Sequence, residues 1–169
     1  MNNIEIYLAG GCFWGVQKYF DLIPGIIKTE VGYANGNGEN PTYEQVYTGT
    51  TGFAETLRVV YDAGIINLNF ILEQYYKIID PTSLNKQGGD TGSHYRTGIF
   101  YTNPDEQEII AASLAQLQKE YSSPIVVENT ALTAFYKAEE HHQDYLNKNP
   151  GGYCHIPSSK FNEAKNTKI

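Results

Sequence analysis

The sequence predicts an α/β (α+β) fold: a two-layer sandwich of helices on a mixed β-sheet, with a ferredoxin-like core and an irregular C-terminal tail. Three observations support this prediction. The length of 169 residues suits one domain that buries its own core. The 14 tyrosines, 7 phenylalanines and 1 tryptophan argue against a disordered chain, which would be poor in aromatic residues. Strand-like and helix-like patterns alternate irregularly, as they do when helices cover a sheet.

The first half of the chain contains three strand patterns and one clear helix pattern. Residues 4–8 alternate in polarity and run into Ala9-Gly10-Gly11, which indicates a strand that ends in a tight turn. Apolar residues at helical spacing over residues 14–22 predict a helix that Pro24-Gly25 ends. Residues 27–33 and 55–61 predict two further strands, and residues 42–46 predict one short helical turn between them.

The second half begins with a helix over residues 67–79, whose apolar side chains form one stripe that Asp80-Pro81 ends. A polar, glycine-rich loop over 82–93 precedes a strand at 94–101. Asn103-Pro104 opens a long helix to residue 121, because proline suits the first helical turn. Residues 125–132 predict a strand and 137–146 a short helix. We expect a single domain over residues 1–169, with a mobile tail from about residue 147.

Composition and charge exclude several classes of partner. The net charge of −7 argues against nucleic acid, because phosphate binding needs a basic surface. The N-terminal residues carry neither a basic region nor a long apolar run, so they do not resemble a secretory signal. No stretch approaches the ~18 apolar residues of a membrane helix. We therefore expect a cytoplasmic protein that binds no membrane.

The chain has two cysteines, Cys12 and Cys154, which on count alone are either inert thiols or a redox pair. Cys12 lies in Gly11-Cys12-Phe13-Trp14-Gly15, where a predicted strand gives way to a predicted helix. A helix N-terminus favours thiolate over thiol, which predicts a lowered pKa. The flanking glycines allow another molecule to approach closely, and the two aromatic residues offer an apolar wall. The alternative, a buried cysteine in an aromatic core, remains open at this point.

This pentapeptide resembles the signature of the A-class peptide methionine sulfoxide reductases. Further segments resemble the same family in the family's order, and together they span most of the chain from about Tyr7 to Cys154. These segments are Gly32-Tyr33-Ala34, Asn40-Pro41-Thr42-Tyr43-Glu44-Gln45-Val46, Thr51-Gly52-Phe53-Ala54-Glu55, Asp80-Pro81-Thr82, residues 85–96 from Asn85 to Arg96, and residues 138–145 from Ala138 to Tyr145.

The resemblance implies the roles of the catalytic residues. Cys12 would attack the sulfur of methionine sulfoxide, and Glu55 would donate a proton to the sulfoxide oxygen. Tyr43 and Tyr95 would donate hydrogen bonds beside it. A carboxyl in an aromatic pocket is desolvated, so we expect a raised pKa for Glu55. Taken without the resemblance, Glu55 would be a solvated edge residue and each tyrosine a packing residue.

The resemblance also implies residues that bind substrate. Phe13 and Trp14 would hold the methyl group, and Asp90 would contact the substrate backbone or orient the site. Without the resemblance, Asp90 in its glycine-rich loop would be a turn-forming residue. The implied substrate is the S epimer of methionine sulfoxide, as free amino acid or in peptides and proteins, and the implied role is repair of oxidative damage.

Cys154 is the candidate for the second half of the cycle. Attack would leave Cys12 as a sulfenic acid, which condenses readily with a thiol. Cys154 lies in the glycine-rich segment 149–155, and many members of the family carry a resolving cysteine in such a segment. Thioredoxin or another thiol would then reduce the Cys12–Cys154 disulfide directly, without a further cofactor. The family also suggests a monomer.

Three positions depart from the family pattern. Phe53 stands where the family commonly has histidine, two residues before Glu55. Gly89 stands where asparagine is more usual, and His94 where glutamine is common. We interpret these differences as tuning of the local hydrogen bonding or pH profile, because every residue with an assigned role remains in place.

Three other readings compete with this interpretation. Histidine and cysteine are zinc ligands, and a metal site could use His141, His142, Cys154, His155 and Cys12, although adjacent pairs lack the usual ligand spacing. A cysteine hydrolase would use His142 as a base. A peptide-binding module without catalysis would bind oxidised methionine and release it unchanged. We expect no metal.

Overall fold

A computed structural model describes residues 3–168 of the chain. Eight strands form two sheets. Strands β1 to β8 are Asn3–Ala9, Ile26–Ala34, Ala54–Asp62, Lys86–Gln87, Asp90–Thr91, Gly98–Tyr101, Glu128–Ala131 and Phe135–Lys137. Six of them form the main sheet in the order β7-β6-β1-β3-β2-β8, and β4 pairs with β5 as a separate hairpin.

Within residues 3–168 the strands are accompanied by six α-helices and two short 3₁₀ turns, the last of which follow β8. Helices α1 to α6 are Phe13–Asp21, Tyr43–Tyr47, Leu68–Tyr76, Glu106–Gln118, Tyr145–Lys148 and Ser158–Lys165. The 3₁₀ turns are Ser93–Tyr95 and Glu140–His142. Within residues 3–168, every helix is too short or too polar to cross a bilayer.

The centre of the main sheet has ferredoxin-like topology. The chain runs β1-α1-β2-β3-α3-β6, and the strand order β6-β1-β3-β2 is antiparallel throughout. At one edge β7 pairs with β6 in parallel, and at the other β8 pairs with β2 in antiparallel. The sheet is therefore mixed, and the predicted α/β fold class is confirmed.

Alternation along the strands separates the two faces of the sheet. Ile6 and Leu8 of β1 belong to the main core, which also contains the buried side chains of α1 and α3. Tyr7 and Ala9 belong to a second cluster, which Phe135 covers. The C-terminal end of β1, which leads into Cys12, is thus buried on both faces.

Several segments differ from the sequence prediction. The strand expected over 94–101 begins only at Gly98, because Ser93–Tyr95 form a 3₁₀ turn. Residues 137–146, expected to form one helix, end strand β8 and then form the turn Glu140–His142 and the start of α5. The buried Gln143 explains this, because its side-chain amide takes up backbone groups in place of helical hydrogen bonds. Val31 N–H donates to Gln143 Oε1 at 3.0 Å, and Gln143 Nε2 donates to the Val31 carbonyl at 2.9 Å. The loop expected over 82–93 contains the β4–β5 hairpin.

The expected irregular tail also needs correcting over Ser158–Lys165, which form α6. Phe161 and Ala164 lie three residues apart and are both buried in the main core. Pro157 precedes the first turn and ends the extended segment before it. Two buried residues are too few to show helical periodicity in the sequence of α6. The helix is instead stabilised by packing on α1.

Candidate active site

Cys12 occupies the junction between β1 and α1, as the sequence predicted. It is the N-cap of α1, and Gly11 before it has a φ of +82°, a conformation that glycine adopts without strain. Cys12 is only 7% exposed. Burial and the nearby Glu55 carboxyl raise the pKa of its thiol well above the usual range, although a hydrogen bond from the Trp14 N–H acts the other way. The expectation of a lowered pKa is therefore wrong for the substrate-free chain, because desolvation outweighs the helix N-terminus.

Glu55 on β3 lies directly beside the Cys12 turn. Phe13 N–H donates to Glu55 Oε1 at 3.2 Å, and this bond crosses from α1 to the sheet. Burial raises the pKa of Glu55 from 4.5 to about 8, with Phe13 N–H opposing the shift, so the carboxyl is protonated near neutral pH. Oε2 is buried and has no hydrogen-bond partner within residues 3–168. The carboxyl is thus a desolvated acid with one free oxygen.

Tyr43 and Tyr95 lie near the same carboxyl. Burial, followed by the charge of Glu55, raises the pKa of both phenols, so each remains a hydroxyl donor at neutral pH. The nearby Tyr95 hydroxyl acts on the pKa of Tyr43 in the opposite direction. Tyr43 begins α2, and Tyr95 ends the 3₁₀ turn.

Glu139 fixes the start of α2 at the site. Its Oε2 accepts the Tyr43 N–H at 2.9 Å, and its Oε1 accepts the Tyr33 hydroxyl at 2.7 Å. These hydrogen bonds lower the pKa of Glu139 despite partial burial. Thr42 caps the same helix with a capping box that includes Gln45. The Tyr43 backbone is therefore held from two directions.

Phe13 and Trp14 differ in what they can offer a substrate. Phe13 is 1% exposed and packs on Tyr33, with ring centroids 5.8 Å apart. Trp14 is half-buried, stacks on Tyr145 at 3.7 Å, and donates its indole N–H to His142 Nδ1 at 3.1 Å. The indole plane is therefore fixed on one side, and Trp14 supplies the accessible part of the apolar wall.

Asp90 reaches the Cys12 turn from the β4–β5 hairpin. Burial raises the pKa of its carboxyl, while the nearby Tyr153 hydroxyl and Cys12 N–H oppose that shift. The buried Gln87 anchors the hairpin, because its amide accepts the Asp80 N–H at 2.8 Å and donates to the Asp80 carbonyl at 2.9 Å. Asp90 thus lies near the backbone of Cys12.

Cys154 packs against the helix that Cys12 begins. A Cβ atom on Gly15 would lie 2.7 Å from Cys154 Sγ, so only glycine permits this approach. Residues three apart on a helix have neighbouring side-chain positions, about 5–6 Å between Cβ atoms. Cys154 therefore lies within side-chain distance of Cys12, and both thiols are free.

The three departures from the family pattern occupy different environments. Phe53 is 1% exposed and packs on Tyr136 in the main core, with ring centroids 5.8 Å apart. His94 is buried between Tyr47 and Tyr95, and burial lowers its pKa. A Cβ atom on Gly89 would meet Tyr153 Oη at 3.4 Å, which is ordinary contact. Only His94 contacts a predicted catalytic side chain.

The rival sites find no support in this arrangement. Within residues 3–168, no three His, Cys, Asp or Glu side chains come together as metal ligands. His142 accepts a hydrogen bond from the Trp14 indole N–H at Nδ1 and packs on the Tyr43 ring, so the structure gives it a supporting contact at the site. A cavity of about 500 Å³ between α1 and α6 is lined by Lys18, Phe161, Lys165 and neighbours, and by no predicted site residue.

Sequence reasoning overlooked residues that support the site rather than form it. The sequence pattern assigns Glu139 no role and His142 only the rival roles of metal ligand or hydrolase base, yet these residues hold Tyr43 and Trp14 in place. His155 was considered only as a metal ligand. The sequence signal that could have indicated them is the clustering of polar residues within segments that resemble the family, such as residues 138–145. Burial, which distinguishes them from surface residues, is not visible in the sequence.

Comparisons with known proteins agree on one family. The family described as peptide methionine sulfoxide reductase matches residues 4–169. A peptide methionine sulfoxide reductase MsrA of Lachnoclostridium phytofermentans is 56% identical over 164 residues, covering 97% of this chain and 99% of that protein. Mxr1 from Saccharomyces cerevisiae in reduced form superposes with a TM-score of 0.87 at 36% identity, covering 90% of this chain and 89% of that one. Mxr1 in complex with Trx2 gives 0.63 at 27% identity over 85% of each chain.

Proposed function

The chain belongs to the A class of the peptide methionine sulfoxide reductase family, and we propose that Cys12 reduces methionine S-sulfoxide with Glu55 as the proton donor. The observation that carries this proposal is the buried Glu55 carboxyl, which has a pKa of about 8 and one oxygen without a partner. A protonated acid beside a nucleophile suits a substrate whose oxygen must be protonated as it leaves sulfur.

The first half-reaction transfers oxygen from substrate to Cys12. As the thiol sulfur attacks the sulfoxide sulfur, negative charge grows on oxygen, and Glu55, Tyr43 and Tyr95 would donate to it. The substrate S–O bond breaks, a Cys12 S–O bond forms, and the thiol proton remains on the sulfenic acid. Because Glu55 is protonated near neutral pH, its charge no longer opposes ionisation of Cys12 there.

The second half-reaction closes a disulfide between Cys12 and Cys154. The support for it is the position of Cys154 Sγ against Gly15, one helical turn from the nucleophile. Thioredoxin would reduce the disulfide, since the related Mxr1 has been crystallised with Trx2. Several expectations stay predictions. They are activity on both free and peptide-bound methionine sulfoxide, a monomeric state, a cytoplasmic location, and the absence of a cofactor and of nucleic-acid or membrane partners.

The test uses the two cysteines as matched controls. Each separated epimer of a methionine sulfoxide peptide is incubated with dithiothreitol, and methionine peptide is followed by chromatography. We expect reduction of the S epimer alone, loss of activity in Cys12→Ser, and retained activity in Cys154→Ser, because dithiothreitol reduces the sulfenic acid directly. Equal reduction of both epimers, or activity in Cys12→Ser, would contradict the proposal.

A further inference from the structure

His155 is a buried titratable residue without a task in the proposed cycle. Its side chain is 3% exposed, and neither ring nitrogen has a hydrogen-bond partner within residues 3–168. The ring covers Gly11, where a Cβ atom would lie 2.9 Å from Nε2. On the hairpin side, a Cβ atom on Gly88 would lie 3.0 Å from His155 Cβ. The imidazole is therefore enclosed between the nucleophile turn and the hairpin that carries Asp90.

The imidazole is also close to the partly buried carboxyl of Asp90. His155 Nδ1 lies 3.9 Å from Asp90 Oδ2, and Oδ2 itself has no hydrogen-bond partner in the described part of the chain. The other titratable groups around His155 are Cys12 beside Gly11, and Tyr153 and Cys154 on its own segment. A proton gained by His155 would create an ion pair with Asp90 in a site of low polarity, where such pairing is strong.

Disulfide formation requires a base that removes the proton of the Cys154 thiol, and His155 paired with Asp90 can act as that base. Burial raises the pKa of the Cys154 thiol, so it is protonated at neutral pH, whereas the attacking species is the thiolate. Burial lowers the pKa of His155, so its imidazole is neutral and able to accept a proton. His155 follows Cys154 in the chain, and its ring covers Gly11, the residue before Cys12, so the imidazole lies near the backbone of both reacting residues.

We propose that His155, paired with Asp90, accepts the Cys154 proton during disulfide formation and returns it to the departing hydroxyl of Cys12. This inference rests on the proposed function. The Cys154 S–H bond breaks, the S–S bond forms, and the Cys12 S–O bond breaks. The oxygen leaves as water with the proton that His155 held. The Cys12 sulfur is reduced, the Cys154 sulfur is oxidised, and the imidazole ends neutral.

The experiment separates the two half-reactions in single turnover. Fully reduced enzyme is mixed with an S-sulfoxide peptide without reductant, and methionine peptide and disulfide are quantified over time between pH 5 and pH 9. The measured quantity is the ratio of the disulfide rate to the methionine rate. His155→Gln keeps a polar side chain of similar size but cannot titrate, and His141→Gln is the control at an exposed histidine.

For His155→Gln we expect the ratio to fall by about 100-fold, the lower end of general acid–base effects, with an accumulating sulfenic acid that dimedone traps. In the wild type we expect disulfide formation to slow as the pH falls below the ordinary imidazole range, and this dependence should vanish in the variant. An unchanged ratio and pH profile in His155→Gln, or a wild-type profile without that slowing, overturns the proposal. Wild-type enzyme that forms no methionine contradicts the proposed function instead.

Discussion

At the scale of single residues, Glu55 couples the stability of the chain to pH. Its carboxyl has a pKa of about 8 in the folded chain and ionises near 4.5 when unfolded. Between these values the folded chain binds more protons, so the free energy of unfolding falls as the pH rises. The stabilisation is complete below pH 4.5 and is lost by about pH 8.

Glu55→Gln should therefore stabilise the protein while it removes the activity. Glutamine retains an acceptor for the Phe13 N–H but carries no charge, so the variant avoids the desolvation of a carboxylate. We expect the melting temperature of the variant to exceed that of the wild type at pH 8 and to approach it at pH 4.5. Thermal unfolding at several pH values measures this difference. A variant that is less stable at pH 8 would contradict the raised pKa.

Cys12 illustrates which part of a site the sequence can predict. Its place at a strand–helix junction followed from the glycines and the change of period around it, and the structure agrees. The direction of its pKa did not follow, because that depends on how deeply the thiol is buried and on Glu55, which comes from a distant strand. Local sequence determines the helix N-terminus, whereas tertiary packing determines the desolvation.

At the scale of elements, α1 and the segment around Cys154 fit together through Gly15. A glycine inside a helix usually costs about 1 kcal/mol relative to alanine, so its presence here needs a packing reason. That reason is Cys154 Sγ, 2.7 Å from the Cβ position, and the Ile156 side chain at 3.1 Å. Helix α1 therefore contains a residue of low helix propensity at the position where the Cys154 side chain packs.

Gly15→Ala should displace the Cys154 segment from α1. We expect Cys154 to become several-fold more reactive toward iodoacetamide, because the new methyl group takes the space that shields its sulfur. Mass spectrometry of the alkylated peptides gives the rate for each cysteine. Gly151→Ala is the matched control, since a Cβ atom there meets nothing within 4 Å. Equal alkylation of Cys154 in both variants would rule out this contact as the determinant.

Elements with a hydrophobic periodicity could be predicted from the sequence. Elements that depend on side-chain hydrogen bonds could not. Strand β1 and helix α1 appear in the sequence through alternation and helical spacing, with bounds that differ from the structure by a residue at each end. The hairpin β4–β5 and the turn at Glu140–His142 have no such period. The side-chain amides of Gln87 and Gln143 hold them by hydrogen bonds to the backbone of Asp80 and of Val31, and no periodic pattern records such bonds.

At the scale of the whole molecule, α6 closes the fold over α1. Phe161 is buried, its ring lies 6.5 Å from the Tyr19 ring, and Lys18 Nζ lies 4.8 Å from the Phe161 centroid. The Cys154 segment runs between α5 and α6, so α6 anchors its far end. The C-terminal helix therefore contributes to the core and to the position of the second thiol.

Phe161→Ala should cost about 3 kcal/mol in the free energy of unfolding, as expected for removal of a buried aromatic ring. Urea unfolding followed by circular dichroism measures the change. Asn162→Ala is the matched control, because Asn162 is exposed on the same helix. A loss for Phe161→Ala no larger than that of the control would mean that α6 does not stabilise the fold.

The active site joins residues from both halves of the chain, which has a consequence for biosynthesis. Ribosomes extend a chain at roughly 5–20 residues per second, so Cys12 is made on the order of ten seconds before Cys154. Throughout that interval the nascent chain carries the Cys12 thiol without Cys154 and, until Glu55 and Asp90 have followed, without the burial that they provide. The chemistry of the pair is complete only when translation has passed Cys154.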